Sequence, residues 1–468
     1  METDVVVIGG GLAGLACGLE LSRSGLKVTL LESSPDLGGR ARSWKDSRTG
    51  DWIDIGPHIL LTEYRNMLHL LQDLETADQV VWQTGKFITL IDKPHPVDIR
   101  MHDLPAPFHF LPSLLALPQV SLADLASNRR VMWQVVRLTD TRMAQLDSIG
   151  AEDYLRRMHV SDRFIEWFWR SACMSVMNTP LEKCSAGALL RFFRFMIGKS
   201  GYQVGFAGTA LSNLFAPAAA RRIEAGGGRV LKNTRAVKIH SGDSAVSVEV
   251  AEGSPVQARL CVAAVPPQEL LRLLPESVQH QEMFSALGKF EPSPYVSSYL
   301  WFDRKLTQER FWARVWAPEN LNYDSYDLSN IRPGWGDRPS LIASNIVYSY
   351  RTDGMSDEDI IAATLDELTE FLPEVTQATL QHARVHHIPM AVPLPSPGSE
   401  HLRPPTQTPL VNLLLAGDWT ATGLPASMEG AVRSGYLAAE KALARFQRPR
   451  QIALPIPVAE GLVRLIGG

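Results

Sequence analysis

The first forty residues combine two unbroken apolar runs with a stretch of helical periodicity. Residues 5–8 are apolar without polar alternation, which is typical of a strand buried on both faces. Residues 12–24 then carry apolar side chains at helical spacing and end at Gly25, a residue type that often follows a helix. A second apolar run over residues 27–31 ends at Glu32. This order predicts a βαβ unit with a parallel sheet.

Glycines occupy the turn between the first strand and the helix. Gly9, Gly11 and Gly14 stand at Gly-x-Gly-x-x-Gly spacing. In a βαβ unit the first glycine allows the turn, the second lets a pyrophosphate approach the backbone, and the third brings the helix close to the sheet. The N–H groups at the helix start, those of Leu12 and Ala13, are then available to an anion. The spacing predicts a dinucleotide-binding site.

A second glycine turn indicates which dinucleotide binds. Glu32 is placed to accept hydrogen bonds from the adenosine ribose, with Ser33 beside it, and an acid there disfavours a 2′-phosphate. Gly39 and Arg40 then complete a Gly-Gly-Arg sequence that matches an extended signature of flavoproteins. A cofactor that stays bound through the catalytic cycle benefits from such additional contacts. We therefore predict FAD rather than a diffusing NAD.

The C-terminal part of the chain repeats the pattern of a strand followed by a helix. An apolar run at residues 413–416 leads into Gly417 and Asp418, and helical periodicity begins near Ser427 and Met428. In an FAD protein we expect Asp418 to accept ribityl hydroxyls or to order water at the pyrophosphate. The positive end of the helix would then favour an anionic reduced flavin.

Two further segments are predicted to approach the cofactor. Gly56 and Pro57 fix a turn next to His58, in a segment that passes close to the flavin in flavin amine oxidases and isoprenoid desaturases. His58 then either donates a proton to the substrate or is satisfied by backbone groups in its loop. Val237, in a predicted strand, is the expected adenine-side residue.

The predicted fold is α/β, with a Rossmann-like FAD-binding domain, a mixed-sheet substrate domain and a helical subdomain. The FAD-binding domain is expected to be discontinuous, over residues 1–80, 205–265 and 405–447. Residues 81–204 are predicted to form a largely helical subdomain that faces substrate or membrane, and residues 266–404 a mixed-sheet substrate domain. An apolar tail covers residues 448–468. Gly205 to Ala225 is predicted to be one helix that returns to the first domain.

Composition narrows the choice of partners. The chain has 468 residues, 45% of them hydrophobic, and a formal net charge of −4, which gives no support for nucleic-acid binding. Its four cysteines form no Cys-x-x-Cys pair and have no histidines at metal spacing, so we expect no metal site and a reducing compartment. We also expect no signal peptide and no membrane-spanning helix.

Two stretches are nonetheless unusually apolar. Residues 104–120 hold few charges and four prolines, and the tail after residue 450 is rich in Leu, Ile and Val. They predict a peripheral protein on the inner face of the cytoplasmic membrane, with an entrance for a greasy substrate. A helix-loop buried under the second domain would have the same composition. The aromatic-rich helical stretches at 164–169 and 189–197 suit the wall of a hydrophobic tunnel.

At this point the chain can be compared with a known family. Residues 416–420, 422–426 and 428–435 closely resemble hydroxysqualene dehydroxylase, the squalene-associated FAD enzyme of bacterial hopanoid pathways, within the flavin amine oxidase and phytoene desaturase superfamily. Residues 104–107 and 177–180 match as well. Pro57 departs from the pattern, since many members have glutamine there.

The resemblance implies the reductive removal of an allylic hydroxyl from a C30 isoprenoid to give squalene. The poor leaving group calls for a general acid, for which His58 is the candidate, with Tyr202 and Tyr295 as weaker ones. A carotenoid-type desaturase or isomerase is the alternative, with hydride moving the other way in a desaturase. An amine oxidase or a non-catalytic flavoprotein is a third class. The sequence leaves open the exact substrate, the direction of electron flow, the electron donor and the oligomeric state.

Overall fold

The computed structural model describes residues 2–92, 96–242 and 244–467. The strands, in chain order, are β1 Glu2–Ile8, β2 Val28–Leu31, β3 Ser43–Lys45, β4 Trp52–Asp54, β5 Ile59–Leu61, β6 Val80–Gln83, β7 Lys86–Ile91, β8 Val97–Arg100, β9 Val204–Ala207, β10 Arg229–Leu231, β11 Ala236–Ser241, β12 Val246–Val250, β13 Val256–Ala263, β14 Pro292–Phe302, β15 Phe311–Arg314, β16 Asp324–Asp327, β17 Leu341–Val347, β18 Leu380–Pro393 and β19 Leu413–Leu415.

The helices, in chain order, are α1 Leu12–Arg23, α2 Arg65–Asp73, α3 Leu111–Leu115, α4 Leu122–Ser127, α5 Arg129–Val136, α6 Asp140–Asp147, α7 Ala151–Arg157, α8 Asp162–Phe164, α9 Arg170–Met177, α10 Ala186–Gly198, α11 Ala216–Ala225, α12 Pro267–Leu273, α13 Glu276–Gln279, α14 Glu282–Leu287, α15 Leu328–Ile331, α16 Asp357–Thr369, α17 Met428–Arg445 and α18 Gly461–Gly467. A π-helical turn, Ile165–Trp169, joins α8 to α9.

A seven-stranded sheet forms the nucleotide-binding part of the described chain, in the order β10-β2-β1-β13-β12-β11 with β19 beside β13. β10, β2, β1, β13 and β19 are parallel, while β11 and β12 form an antiparallel meander. Val5 and Val7 pack with α1, α11 and α17 on one face, and Val6 and Ile8 with α12 and α14 on the other. Burial on both faces explains why β1 has no polar alternation. The predicted α/β fold is confirmed.

The substrate part is a second seven-stranded sheet, β18-β14-β17-β16-β15-β7-β8, in which only the described pair β15 and β7 runs parallel. β7 and β8 come from the stretch predicted to be largely helical. The helices after them share one hydrophobic core with this sheet, since Val131 and Phe193 belong to the same cluster as Tyr299 and Leu341. The helices of residues 81–204 therefore pack on this sheet, and the predicted division into domains stays a prediction.

A smaller three-stranded sheet, β5-β9-β6, lies beside the substrate sheet. Phe206 of β9 contacts the rings of Phe311 and Tyr326 on the larger sheet. Gly205 is also part of β9, so the predicted helix from Gly205 to Ala225 is wrong at its start, and a 3-10 turn, Leu211–Leu214, and α11 are the helical parts there. β5 begins directly after His58, which brings the 56–58 loop to the substrate sheet.

The apolar tail folds back on the body. Ile452 and Ala453 enter the core around α1 and α17, and Val463 of α18 is fully buried against the substrate part. α18 packs on α5 and α10. None of the described helices combines the length and apolar character needed to cross a membrane.

Candidate active site

Of the three glycines of the first motif, Gly9 and Gly14 have no room for a side chain, whereas Gly11 has. A Cβ on Gly9 would lie 2.5 Å from the Ala264 carbonyl oxygen, and Gly9 has a φ of +106°. A Cβ on Gly14 would lie 1.9 Å from the Gly9 carbonyl oxygen. A Cβ on Gly11, in contrast, would meet nothing nearer than Gly39 Cα at 3.8 Å. The loop therefore leaves open space in front of Gly11, as a bound pyrophosphate requires.

The second glycine turn lies directly against the first. Gly38 forms a parallel β-bridge with Gly11, and a Cβ on Gly39 would approach Gly11 Cα to 3.1 Å. α1 begins after Gly11 without a side-chain cap, so the N–H groups of its first turn, including those of Leu12 and Ala13, remain available. Unpaired N–H groups and the positive helix end together favour an anion at this point.

Glu32 closes the adenosine side of this cradle. Its carboxylate accepts hydrogen bonds from the Gly10 N–H at 2.7 Å and the Ser34 N–H at 2.8 Å. The hydroxyl of the exposed Ser33 donates to the same carboxylate at 3.2 Å. These contacts hold the carboxylate beside the glycine loop, where a ribose in the cradle would meet it.

Val237 lies on β11, the edge strand of the nucleotide-binding sheet. The Thr234 N–H donates to the Glu32 carbonyl oxygen at 2.8 Å, which places the chain before β11 beside the end of β2. The pairing of β11 with β12 shifts between Ala236 and Lys238, and the Val237 side chain at the shift is 42% exposed. An exposed valine three residues after this contact fits the predicted adenine contact, which stays a prediction.

Asp418 is held at the other end of the cradle by two arginines. Its carboxylate pairs with the Arg40 guanidinium at 2.5 Å, and Arg403 donates to its backbone oxygen at 2.6 Å. Arg40 also donates to the Ala391 carbonyl oxygen at 3.0 Å. Gly417 before it has a φ of +145°, a conformation that favours glycine. The ion pair therefore joins the second glycine turn to the C-terminal strand.

The start of α17 adjoins Asp418. Ser427 caps the helix by accepting from the Gly430 N–H at 3.1 Å, and a Cβ on Gly430 would lie 3.8 Å from Asp418 Cβ. Met428, the first residue of α17, is buried. The helix begins where the sequence predicts, so its positive end lies next to Asp418.

Glu429 has a role that its position in the sequence does not reveal. Its buried carboxylate accepts from the Asn66 N–H at 3.1 Å, the Asn66 side-chain amide at 2.7 Å and the Met67 N–H at 2.8 Å. Burial raises the pKa of Glu429. Its side chain thus caps the first turn of α2 and fastens α17 to it.

The loop with Gly56, Pro57 and His58 lies on the substrate sheet. A Cβ on Gly56 would sit 3.7 Å from both Ser297 Cβ and Ile388 Cδ1. His58 Nδ1 lies 2.8 Å from the Gly56 carbonyl oxygen, to which it donates, and burial lowers the pKa of the ring. His58 is therefore neutral near pH 7 and holds no spare proton, so its role as a general acid remains a prediction with little support from its surroundings.

The sheet beneath this loop carries a line of polar side chains. The strand register places His386 opposite Ser297, Ser297 opposite Asn345, and Asn345 opposite Asp324. Because side chains alternate along strands, these four share the face that Gly56 contacts. We call this set, His386, Ser297, Asn345 and Asp324, the polar row. Tyr295, Tyr299 and Tyr326 are on the same face and flank it.

Asp324 is the titratable end of the polar row. Its carboxyl group accepts hydrogen bonds from the Asn345 side-chain amide at 2.8 Å and from the Tyr326 hydroxyl at 3.2 Å. Burial raises the pKa of Asp324 to about 6. Tyr295 hydrogen-bonds to the Asn178 side chain at 3.4 Å, and burial raises its pKa well above the usual range.

Tyr202 does not belong to this group. Its ring packs against Phe87, His109 and Phe110, under the apolar segment at residues 104–117. Burial raises the pKa of Tyr202 far above the usual range. The structure therefore places it in the wall behind the apolar segment, and it does not bring the hydroxyl to the glycine cradle or to the polar row.

A cavity with a volume of about 40 Å³ lies beside Asp418. On one side it is lined by Asp418 and by Pro425 and Ala426 before α17, and on the other by Asn178, the partner of Tyr295. The C-terminal end of β18 forms its floor. The cavity thus connects the Asp418 end of the cradle with the C-terminal end of β18.

Comparison with known proteins assigns this architecture to a family. The model of the family described as flavin containing amine oxidoreductase matches residues 12–443. The chain belongs to this family. FAD is therefore its cofactor, and the glycine cradle, Glu32, Arg40 and Asp418 are the residues that fit it. Its flavin would supply a hydride acceptor or donor at N5.

Similar flavin amine oxidoreductases include carotenoid desaturases. The 15-cis-phytoene desaturase of Synechococcus elongatus is 28% identical over 94% of this chain and 96% of its own length. The 15-cis-phytoene desaturase of an Oncidium hybrid cultivar is 30% identical over 93% of this chain and 77% of its own length. A probable zeta-carotene desaturase of Synechococcus elongatus is 26% identical over 94% of this chain and 98% of its own length.

Solved structures support the fold of this family. A putrescine oxidase superposes with a TM-score of 0.71 at 16% identity, over 95% of this chain and 100% of its own. The cyclohexylamine oxidase of Brevibacterium oxydans superposes with a TM-score of 0.69 at 16% identity, over 96% of this chain and 100% of its own.

The residues that sequence reasoning missed are polar groups inside apolar stretches. Ser297, Asn345 and Asp324 each stand in strands that read as ordinary sheet segments, and Arg403 lies in a loop. In the sequence, Ser297 and Asp324 each stand two residues from a tyrosine, and therefore on the same face of the strand as that tyrosine. This pattern is common, and it points to a site only when the pairing of the three strands is known.

Proposed function

We propose that this chain transfers hydride between bound FAD and a long isoprenoid substrate. The observations that carry the proposal are the cofactor cradle that ends at Asp418 and the aromatic face of the substrate sheet that Gly56 contacts. Such a face suits a hydrocarbon chain, and it would shield a cationic carbon from water during hydride transfer. The chain's own residues bind and orient the cofactor, exclude water and exchange a proton.

The similarity to phytoene desaturases favours oxidation of the substrate, that is, carotenoid-type desaturation. The test is an anaerobic incubation of the oxidised FAD enzyme with phytoene in lipid vesicles and a quinone acceptor. We expect products with additional conjugated double bonds and reduction of the quinone in equal amount. If neither forms and phytoene is recovered unchanged, the chain does not desaturate phytoene.

A second candidate is the reductive dehydroxylation of hydroxysqualene to squalene. The observation that favours it is the polar row with a protonatable carboxyl group, since an allylic hydroxyl leaves readily only when it is protonated. The resemblance of residues 416–435 to hydroxysqualene dehydroxylase supports it as well. Dithionite-reduced enzyme and hydroxysqualene, extracted and analysed by mass, test it. Squalene formation would select this reaction, and its absence beside active desaturation would reject it.

We also propose that the protein takes its substrate from a lipid surface. Exposed apolar side chains occur in the segment at 104–115 and in α18: Leu104, Phe108, Leu111, Leu115, Leu462, Leu465 and Ile466. A Cβ on Gly461 would lie 2.9 Å from the Ala106 carbonyl oxygen, so α18 adjoins that segment. We call these seven residues the apolar patch. A patch of this kind favours insertion into a membrane interface.

A further inference from the structure

Neighbouring strands in register place Ser297, Asn345 and Asp324 side by side. All three lie on the face that Gly56 contacts, among tyrosine, phenylalanine and alanine side chains. Polar groups are costly on such a face unless they are hydrogen-bonded. Their presence together indicates a requirement other than packing.

The hydrogen bonds within this group are incomplete. The Asn345 side-chain oxygen is buried without a hydrogen-bond partner among the described residues, and the buried Ser297 hydroxyl has only the Tyr299 side chain beside it. His386 Nε2, at the other end of the polar row, is also buried without a partner there. Unpartnered polar atoms of this kind call for an occupant that can hydrogen-bond, such as a water molecule or an oxygen of the substrate.

Asp324 has no cation to hold it charged within the described part of the chain. The titratable groups that face it are Tyr295 on β14 and Tyr323 and Tyr326 on or next to its own strand. Cys173 of α9 lies beside Tyr323, and β15 presents the apolar Ala313. Burial raises the pKa of the Cys173 thiol and of all three tyrosines. Asp324 is therefore the group there that changes protonation near neutral pH.

We propose that Asp324 exchanges a proton with the isoprenoid during the reaction, and that Asn345 is the positioning residue that orients its carboxyl group. The inference rests on the proposed hydride transfer, and it assigns the proton that this transfer must move. It needs Asp324 to face the substrate, and the support for this is that Asp324 shares the sheet face that Gly56 contacts.

The same group serves either direction of hydride transfer. In desaturation a C–H electron pair passes to FAD, and the Asp324 carboxylate takes the proton from the neighbouring carbon, whose electron pair becomes the double bond. A quinone then reoxidises the flavin. In dehydroxylation the Asp324 carboxylic acid protonates the hydroxyl, the C–O bond breaks, and water leaves. Hydride from reduced FAD forms the new C–H bond, and dithionite supplies the electrons in the assay.

The sign of the pH dependence distinguishes these two roles. A base must be deprotonated, so the rate of desaturation is expected to fall as the pH drops below about 6. An acid must be protonated, so the rate of dehydroxylation is expected to fall as the pH rises above about 6.

The decisive variant is Asp324→Asn in the FAD-loaded enzyme. We expect kcat to fall about 100-fold or more, with KM within about threefold of the parent. The change of the rate with pH near 6, which we call the pH limb, should disappear. Asp327→Asn is the matched control, because Asp327 is a buried carboxyl on the same strand but on the other face, where it bonds to Ser329 and Ser340. The control should keep the limb. If Asp324→Asn keeps both rate and limb while the parent is active, the inference is overturned.

Two further measurements keep the inference testable if Asp324→Asn folds poorly. The hydrogen bond from Asn345 lowers the pKa of Asp324, so Asn345→Ala should move the limb to higher pH. Infrared difference spectra of the parent should show a buried carboxyl group titrating near pH 6, absent in Asp324→Asn and kept in Asp327→Asn. An unmoved limb in Asn345→Ala, or no such titration, contradicts the inference. A parent that converts no isoprenoid in either direction contradicts the proposed function itself.

Discussion

Gly11 and Gly14 belong to one motif, but they are glycines for different reasons. Gly14 is required by the chain, because a methyl group there would collide with the Gly9 carbonyl oxygen. Gly11 is required by the cofactor, because the chain leaves open space in front of it. The motif in the sequence does not separate these two demands.

Gly11→Ala should therefore fold normally and lose FAD, whereas Gly14→Ala should lose stability. For Gly11→Ala we expect an apoprotein Tm within about 1 °C of the parent and an FAD Kd raised about tenfold or more, equal to about 1.4 kcal/mol. For Gly14→Ala we expect a loss of about 1–3 kcal/mol from overpacking. Thermal unfolding of the apoproteins and flavin fluorescence titrations test both. An unchanged FAD Kd in Gly11→Ala would contradict this reading of the cradle.

His386 should make stability depend on pH. Burial, with Arg384 and Arg42 nearby, lowers the pKa of its ring to about 4, whereas the unfolded chain binds the proton near 6.5. Between these values the unfolded state holds more protons, so the free energy of unfolding falls as the pH falls from 6.5 towards 4. At pH 5 the loss amounts to about 2 kcal/mol.

His386→Phe keeps a ring against Trp44 and Tyr299 and removes the titration. Its Tm should drop less than that of the parent between pH 7.5 and pH 5 (approximately the window in which the parent loses stability). The control is His387→Gln, because His387 points to the opposite face and bonds to Asp357 at 2.8 Å. Equal pH slopes for the parent and His386→Phe would show that this histidine does not set the dependence.

At the scale of elements, the site depends on how α17 is fastened. Its first turn adjoins Asp418, while Glu429 in that turn caps α2 through three hydrogen bonds. One residue thus couples the cofactor end of α17 to a helix from the N-terminal part of the chain. A second acid further along, Glu440, accepts from the Ile452 and Ala453 N–H groups and holds the tail in the same way.

Glu429→Gln should loosen α2 and weaken FAD binding. The amide keeps the shape but replaces one acceptor oxygen with a donor, which leaves a buried N–H unpaired at a cost of about 1–3 kcal/mol. Hydrogen exchange should become faster at Asn66 and Met67, and the FAD Kd should rise. Glu440→Gln is the matched control, because one oxygen accepts from both Ile452 and Ala453 and the amide keeps that oxygen, so exchange at Asn66 and Met67 should stay unchanged. Faster exchange confined to the tail in Glu429→Gln would contradict the assignment.

At the scale of the whole molecule, the apolar patch combines two distant parts of the chain. The segment at 104–115 and α18 meet through Ala106 and Gly461, so neither forms the patch alone. Removing the tail would also uncover the core, because Ile452, Ala453 and Val463 are buried in it. A test of membrane binding therefore requires point substitutions instead of truncation.

The variant Phe108→Glu with Leu115→Glu and Leu465→Glu should bind liposomes at least about tenfold more weakly than the parent. Each change places a charge where an apolar side chain would enter the interface. Flotation with anionic and neutral vesicles measures the binding. Val411→Glu is the control, since Val411 is an exposed apolar residue outside the patch. Equal flotation of the triple variant and the parent would contradict the proposal.

The sequence by itself determined the cofactor and the fold around it. The glycines at 9, 11 and 14, the acid at 32, the second turn at 39–40 and the Gly417-Asp418 pair lie within short segments whose spacing is set by local geometry. A turn, a helix start and a strand end are local events, so their residue types identify them without the rest of the chain. The same local reading placed α17 correctly and anticipated the apolar segment.

Only the tertiary structure decided which side chains share one face of the substrate sheet. Residues 297, 324 and 345 meet because β14, β17 and β16 pair in one register, and a shift of one residue would turn each to the other face. The same long-range pairing joins β7 and β8 to the substrate sheet, and the contact of Tyr202 with Phe87 places it away from the polar row. Local sequence fixes the period of a strand, whereas its partner and register depend on the burial of the whole sheet.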